Sequence, residues 1–258
     1  MIPLNPAGVA SVWLRHAQVY RRTWLFNALP PMVEPLLYLV GFGYGLDRSV
    51  GSVVHQGQTV GYRAYIAPAM VALGVLFQAF FEAAYGSFIR LRFQRTWNGL
   101  LTAPLDYTDI FVGDWLWAAT RGLIAGLVTA GVTVALGMAS FASVAASIPL
   151  IVLGSLMFAS VGMAVAGAVK TVDQINVPVF LFILPMFTLC GTFFPRENLP
   201  GWIQAFAGLL PLSPLVDLMR WPLAGLPPGW PFKVAILLAW AVGFYVLGWR
   251  LIRRHVFR

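Results

Sequence analysis

The sequence predicts an all-α integral membrane protein: six transmembrane helices, an N-terminal interfacial amphipathic helix, and re-entrant helices on the outer side. Three observations predict it. Of 258 residues, 59% are apolar and only 10% are charged, whereas a soluble domain carries about a quarter charged residues. The mean hydropathy is +0.79. Between Gly122 and Val169 there is no formally charged side chain, which is room for two spans and a tight turn. A soluble core of this length would need a charged exterior, and the residues to build one are missing.

The N-terminal helix is read over residues 7–24. Val9, Val12, Trp13, His16, Tyr20 and Trp24 share one side, with Ser11, Arg15, Gln18 and Arg22 opposite. This is the pattern of a helix lying in the membrane interface, aromatics down and arginines up. Spans are expected at 29–46, 65–84, 110–136, 141–169, 175–194 and 231–252, each with about 20 apolar residues or more. Pro30, Pro31 and Pro35 crowd the start of the first span, so a kink or a loosened first turn is expected there. Gly41, Gly43 and Gly45 give its outer end a smooth face. Gly122 and Gly126, with Ala130 continuing, form a small-residue stripe in the third span that suits close helix packing within the subunit.

Orientation follows from the basic residues. Arg15, Arg21, Arg22, Arg90, Arg92, Arg95, Lys170, Arg250, Arg253, Arg254 and Arg258 fall on one side, against Arg48, Arg63, Arg196, Arg220 and Lys233 on the other. The excess puts both termini in the cytoplasm, and six spans agree with that parity. The net charge of +8 therefore serves orientation and contact with anionic lipid headgroups rather than nucleic-acid binding. Cys190 is the only cysteine, so no intrachain disulfide can form. No cleavable signal peptide is expected, because the first sustained apolar run follows a basic helical stretch.

The stretch 82–114 is the longest basic interruption. Arg90, Arg92 and Arg95 lead into Trp97, Leu100 and Leu101 and a stop at Pro104; Asp106, with Asp109, then caps the next helix. Trp97, Leu100 and Leu101 lie at helical spacing on one face. Two readings stay open for that face: it docks on another protein through buried aromatic and aliphatic anchors, or it rests in the lipid interface. On the other side, residues 195–230 contain short apolar runs cut by Pro200, Pro211, Pro214 and Pro222. They are too short to cross and too apolar for water, so re-entrant or interfacial helices are expected.

No phosphate loop is present, since Lys170 and Lys233 lack the required glycines. No metalloprotease or serine-nucleophile motif occurs, and His16, His55 and His255 are scattered. No metal site or catalytic residue is expected. Glu34, Glu82 and Arg121 are the ionisable groups within or at the ends of spans. A charge in hydrocarbon costs roughly 2.5–3.5 kcal/mol, so each should face protein, water or a headgroup. Glu82 and Arg121 are expected to pair, a structural role being favoured over substrate contact; Glu34 is expected to cap the kinked first span.

Four stretches resemble the membrane subunits of type-2 ABC exporters, most closely the nodulation protein J family: VEPLLYLVGFGYGL (33–46), YRAYIAPAMV (62–71), EAAYGSFIRLRFQRTWNGLLTAPLDYTDIFVGDWLW (82–117) and GTFFPRENLPGWIQAFAGLLPLSPLVDLMR (191–220). The last is the most specific, through the order of Phe194, Pro195, Leu199 and Pro200, then Pro211 and Pro214. The resemblance implies one transmembrane domain over 1–258, forming a homodimer that binds two copies of a separate ABC ATPase. That partner would hold ATP and Mg; this chain would hold no cofactor. It further implies that 1–27 is the connecting helix and that 85–109 is a cytoplasmic coupling loop whose helix spans 94–104. Arg95, Trp97, Asn98, Leu100, Leu101, Ala103 and Pro104 would meet the ATPase there. Residues 195–230 would close the exit.

The function expected is the permease half of an ATP-driven exporter in a bacterial inner membrane. Its cargo would be amphipathic, a lipo-oligosaccharide or glycolipid, since nodulation protein J is linked to export of lipochitin oligosaccharides. A drug or polysaccharide-lipid cargo within the same family is the alternative. A membrane enzyme acting on lipid-linked sugars would need an acidic or histidine cluster at one membrane face. A passive channel would need a polar stripe along a span, and neither feature is visible.

Overall fold

The computed structural model describes residues 5–257, with the side chains of 25–32 outside the described set. Among the described residues, four helices are long and apolar enough to cross a membrane: α2 (Tyr62–Arg92), α4 (Tyr107–Ala135), α5 (Phe141–Ala168) and α9 (Trp230–Val256). Ahead of them runs α1 (Pro6–Gly45), and between them lie α3 (Thr96–Leu100), α6 (Asp173–Leu189), α7 (Gly201–Leu209) and α8 (Leu212–Met219). The helix α2 is the centre of the bundle. Its residues from Ile66 to Phe80, Pro68 excepted, are buried, packed against α1, α4, α5 and α8.

Small residues make those crossings close. A methyl group added at Gly122 would stand 2.7 Å from Ala79 Cβ, and one at Gly126 would stand 2.6 Å from Val75 Cγ2 and 2.8 Å from Ile151 Cγ2. The predicted stripe on α4 is therefore a packing surface for α2 and α5. Gly162 of α5 is tighter still, 2.5 Å by the same measure from Ala83 Cβ and 2.6 Å from the Phe80 carbonyl. At that crossing α2 widens into a π turn over Glu82–Gly86, an insertion that re-aims side chains without ending the helix. Its continuation carries α2 to Arg92, eight residues past the predicted end of the span.

Three features add to the expected picture. The mostly helical chain carries one short β element: Ser52–His55 (β1) and Gln58–Gly61 (β2) pair as an antiparallel hairpin. Gln56 and Gly57, at φ +51° and +75°, make the turn, which has the two positive angles that a two-residue hairpin loop requires. A break in α1 falls at Thr23 (φ −125°, ψ 17°); the kink expected at Pro30 and Pro31 lies outside the described residues, and Pro35 is buried within the helix. And most of the apolar face of the N-terminal helix covers protein, although Trp24 at its far end is 58% exposed. Val9 and Val12 are buried, Val12 lies where a side chain on Gly113 of α4 would be, 2.6 Å away, and Trp13 Nε1 donates to Thr120 Oγ1 at 3.0 Å. The Asn5 amide also donates to Asp109 Oδ1 at 3.0 Å, so α1 and α4 start together.

The predicted fifth span is shorter than expected. α6 ends at Leu189, interrupted by Pro178, Pro185 and a π segment over Val179–Ile183. After it, α7 and α8 meet at 88° across Leu210 and Pro211. The prolines sit where a missing N–H costs least: Pro200 precedes α7, Pro211 lies in the break, and Pro214 occupies the first turn of α8. α8 is entirely buried, while Trp202, Phe206 and Leu209 of α7 are exposed.

Candidate functional site: the basic end of the bundle

Asn5 and Phe257, at the two ends of the described chain, lie with the 93–105 connection at one end of the bundle. Tyr107, at the start of α4, donates to the Trp249 carbonyl at 2.8 Å and packs edge-on against Phe257. Nearby, Arg92 Nη2 lies 3.0 Å from His255 Nε2. Asp106 caps α4 as predicted, with Asp109 Oδ2 accepting from its backbone N–H at 3.3 Å. Arg95 opens α3 with φ +47°, the left-handed conformation that a non-glycine residue seldom adopts, and so turns the chain sharply after α2.

This turn decides which side of α3 faces outward. Trp97 is 1% exposed, its ring 6.0 Å from that of Tyr107. Leu100 and Leu101 are half-buried against the core. The face expected to dock is thus turned inward, because Trp97 packs on Tyr107 at the start of α4. What the loop presents instead is Gln94, Arg95, Asn98, Gly99, Thr102, Ala103 and Pro104, together with Phe93 at 68% exposure. Phe93 escaped the sequence reading since it precedes the helical triplet. An aromatic next to three arginines was its only signal.

Just inside this end, α1, α2 and α4 share a network of buried charges. Glu82 and Arg121 do approach, Nε to Oε2, but at 3.9 Å. The nearer cation is Arg90, whose Nη1 donates to Glu82 Oε1 at 2.9 Å and whose Nε lies 2.9 Å from Asp114 Oδ1. His16 Nε2 is 2.9 Å from the same Asp114 oxygen, and Trp117 Nε1 donates to Glu82 Oε1 at 3.2 Å. Arg121 lies 4.4 Å over the Tyr20 ring. Gln78 completes its surroundings, with the amide oriented to accept from the guanidinium. His16 is therefore not a stray interfacial histidine but a member of this cluster.

Sequence reading found two of its members and missed Arg90, Asp114 and His16. Arg90 follows Glu82 by eight residues, a spacing that leaves both on one helical face across the π turn. His16 and Asp114 are brought in only by the docking of α1 on α4. Glu34 stands apart from the cluster: it is exposed on α1 and accepts a hydrogen bond from Tyr38 at 3.1 Å. It lies eleven residues beyond the break at Thr23.

At the opposite end a second knot forms. Buried Arg220 donates through Nε to the Tyr65 carbonyl at 3.1 Å and through Nη2 to the Gly191 carbonyl at 2.8 Å, its guanidinium 3.6 Å over the Tyr65 ring. Asp217 pairs with both Arg196 and Lys233, so the motif around buried Pro195 is tied to α8 and α9. Phe194 is exposed, Leu199 half-buried and Pro200 exposed; Pro211 and Pro214 are buried. His55 of the hairpin packs edge-on against Tyr65 at 5.6 Å. Burial, and secondarily the Arg220 charge, holds its imidazole below the ordinary histidine value, which favours the neutral ring.

The ABC-2 type transporter family profile matches residues 8–224, a stretch that contains both knots and the basic loop. The chain belongs to the ABC-2 type transporter family. Among its relatives, nodulation protein J of Bradyrhizobium diazoefficiens is 38% identical over 220 residues, covering 85% of this chain and 82% of that protein. Nodulation protein J of Rhizobium leguminosarum bv. viciae is 32% identical over 258 residues, covering 100% and 98%. The inner membrane transport permease YadH of Escherichia coli K12 is 28% identical over 261 residues, covering 98% of each. The last of these relatives is named as a transport permease. The match runs through α1, the basic loop and the α7–α8 pair, so the resemblance seen in the four sequence stretches is that of the family.

Proposed function

We propose that this chain is the permease subunit of an ATP-driven exporter, a homodimer joined to two copies of a separate ABC ATPase that binds ATP and Mg. The observation that carries this reading is the basic loop after α2, held rigidly by Trp97 and offering Phe93, Arg95, Asn98, Ala103 and Pro104 to solvent, in a family of transporters whose chain here has no phosphate loop. ATP binding would draw the two loops of the dimer together and switch access from one side to the other. Similarity to nodulation protein J favours an amphipathic cargo, a lipo-oligosaccharide or glycolipid. The name of the Escherichia coli relative favours the inner membrane.

The dimer has support in α1. Val33, Leu37, Val40 and Tyr44 are exposed along one stripe and Glu34 is exposed beside it. An ionised carboxylate facing lipid would cost roughly 2.5–3.5 kcal/mol, so this surface suits a second protomer or a wet passage. Tagged full-length chain purified from its native membranes is expected to bring down a second chain with a phosphate loop, and ATP hydrolysis should require it. Specific ATP hydrolysis by this chain alone would end the proposal.

Six spans with both termini in the cytoplasm complete the reading, with α1 beyond Thr23 and α6 continued by its following loop as the two not shown by length. Single cysteines at Ser52, Asn198 and Asn98 test it, because all three sites are exposed while native Cys190 is buried. In a Cys190→Ala background, an impermeant thiol reagent outside intact cells should label the first two. Labelling of the third from outside would invert the topology.

A further inference from the structure

Between the N-terminal helix and the end of α2 lies a cavity of about 290 Å³, against a share of roughly 30 Å³ for one water in the liquid. Arg15, Arg90 and Arg121 line it, with Glu82 as the one carboxylate on its wall. The charges of Arg90 and Arg121 are engaged by Glu82 and Asp114. Arg15, exposed at the mouth, makes no ion pair among the described residues, so its positive charge is left uncompensated at the cavity mouth. Tyr20 and Trp117 form an aromatic wall, their rings 5.6 Å apart. Val19 and Ile89 line the cavity too, and both are exposed apolar side chains at its rim.

We propose that this cavity binds the phosphate headgroup of an inner-leaflet lipid. Guanidinium forks match phosphate oxygens in geometry and charge, and Arg15 supplies a fork that has no ion-pair partner among the described residues. A soluble anion would have no use for the apolar rim. A lipid would, because its glycerol and first methylenes lie against Val19 and Ile89 while the phosphate enters between Arg15 and Arg121. Tyr and Trp beside the headgroup are at the depth where their amphipathic rings are best solvated. The site needs no cargo and no ATPase, so its test is independent of the export reading except for the orientation of the chain.

The test uses purified full-length chain in an uncharged detergent, with dioctanoyl phosphatidic acid, dioctanoylglycerol and inorganic phosphate as separate probes in a binding titration. Phosphatidic acid should bind about tenfold more tightly than the neutral lipid. Arg15→Gln should weaken it about fivefold, the loss expected for one basic residue at an anionic surface, with the thermal midpoint unchanged. Arg22→Gln, which alters an exposed charge that does not line the cavity, should leave affinity as it was. Equal weakening by both variants would reduce the effect to diffuse surface attraction and overturn the site. So would equal affinity for the neutral lipid, and inorganic phosphate binding as tightly as phosphatidic acid would show a free-anion site in place of a lipid one.

Discussion

Trp97→Ala is expected to destabilise the folded chain by about 3–5 kcal/mol, the usual cost of emptying a buried large aromatic site. Its ring is 1% exposed and packs on Tyr107, which itself donates to the Trp249 carbonyl. Removing it opens the junction that holds α3 to α4. The thermal midpoint of detergent-solubilised protein should fall, and any loss of an ATPase partner should follow from that fall. Phe93→Asp makes the contrasting measurement. Phe93 is 68% exposed, so the midpoint should stay within the small range of surface substitutions, about 0.5 kcal/mol. Retention of the ATPase during purification should nevertheless drop, because an apolar anchor has become a charge beside three arginines. If Phe93→Asp keeps its full ATPase complement, or Trp97→Ala leaves the midpoint untouched, the division of labour drawn from the structure is wrong.

The second large effect is expected at Asp114. This carboxylate is buried and stands between Arg90 and His16. Asp114→Leu would leave the Arg90 guanidinium short of a counter-charge, and breaking a buried pair from one side costs about 3–5 kcal/mol. A double-mutant cycle extends the test along the network. Coupling between Glu82→Gln and Arg90→Met, whose parent groups are 2.9 Å apart, should exceed that between Glu82→Gln and Arg121→Met, at 3.9 Å. Thermal unfolding of the four proteins in each cycle gives both numbers. Larger coupling to Arg121 would show that the pair expected from sequence alone is the principal one.

Much of the architecture was legible because the bilayer imposes length and hydropathy on each element separately. The apolar runs of α2, α4, α5 and α9, the Asp106 cap and the proline punctuation of α7 and α8 are local signals, each readable within about 20 residues. The hairpin was legible in principle: SVVH and QTVG flank a Gln-Gly pair, although Gln is an unusual first residue for a turn with φ +51°. The ionic network was not. Its members lie at positions 16, 82, 90, 114 and 121, and no periodicity links a histidine on α1 to a carboxylate on α4.

What the sequence determined by itself was the class of molecule and the placement of most helices, since these follow from the length and hydropathy that burial in lipid demands. What the tertiary structure alone decided was direction. Helical spacing puts Trp97, Leu100 and Leu101 on one face but does not say whether that face meets solvent or core. The left-handed turn at Arg95 and the packing of Tyr107 turned it inward, and left Phe93 outside. Likewise, the amphipathic N-terminal helix could lie on lipid or on protein with the same pattern. It lies on α4 because Gly113 leaves room for Val12 and because Asp114 there offers His16 a charge that lipid cannot.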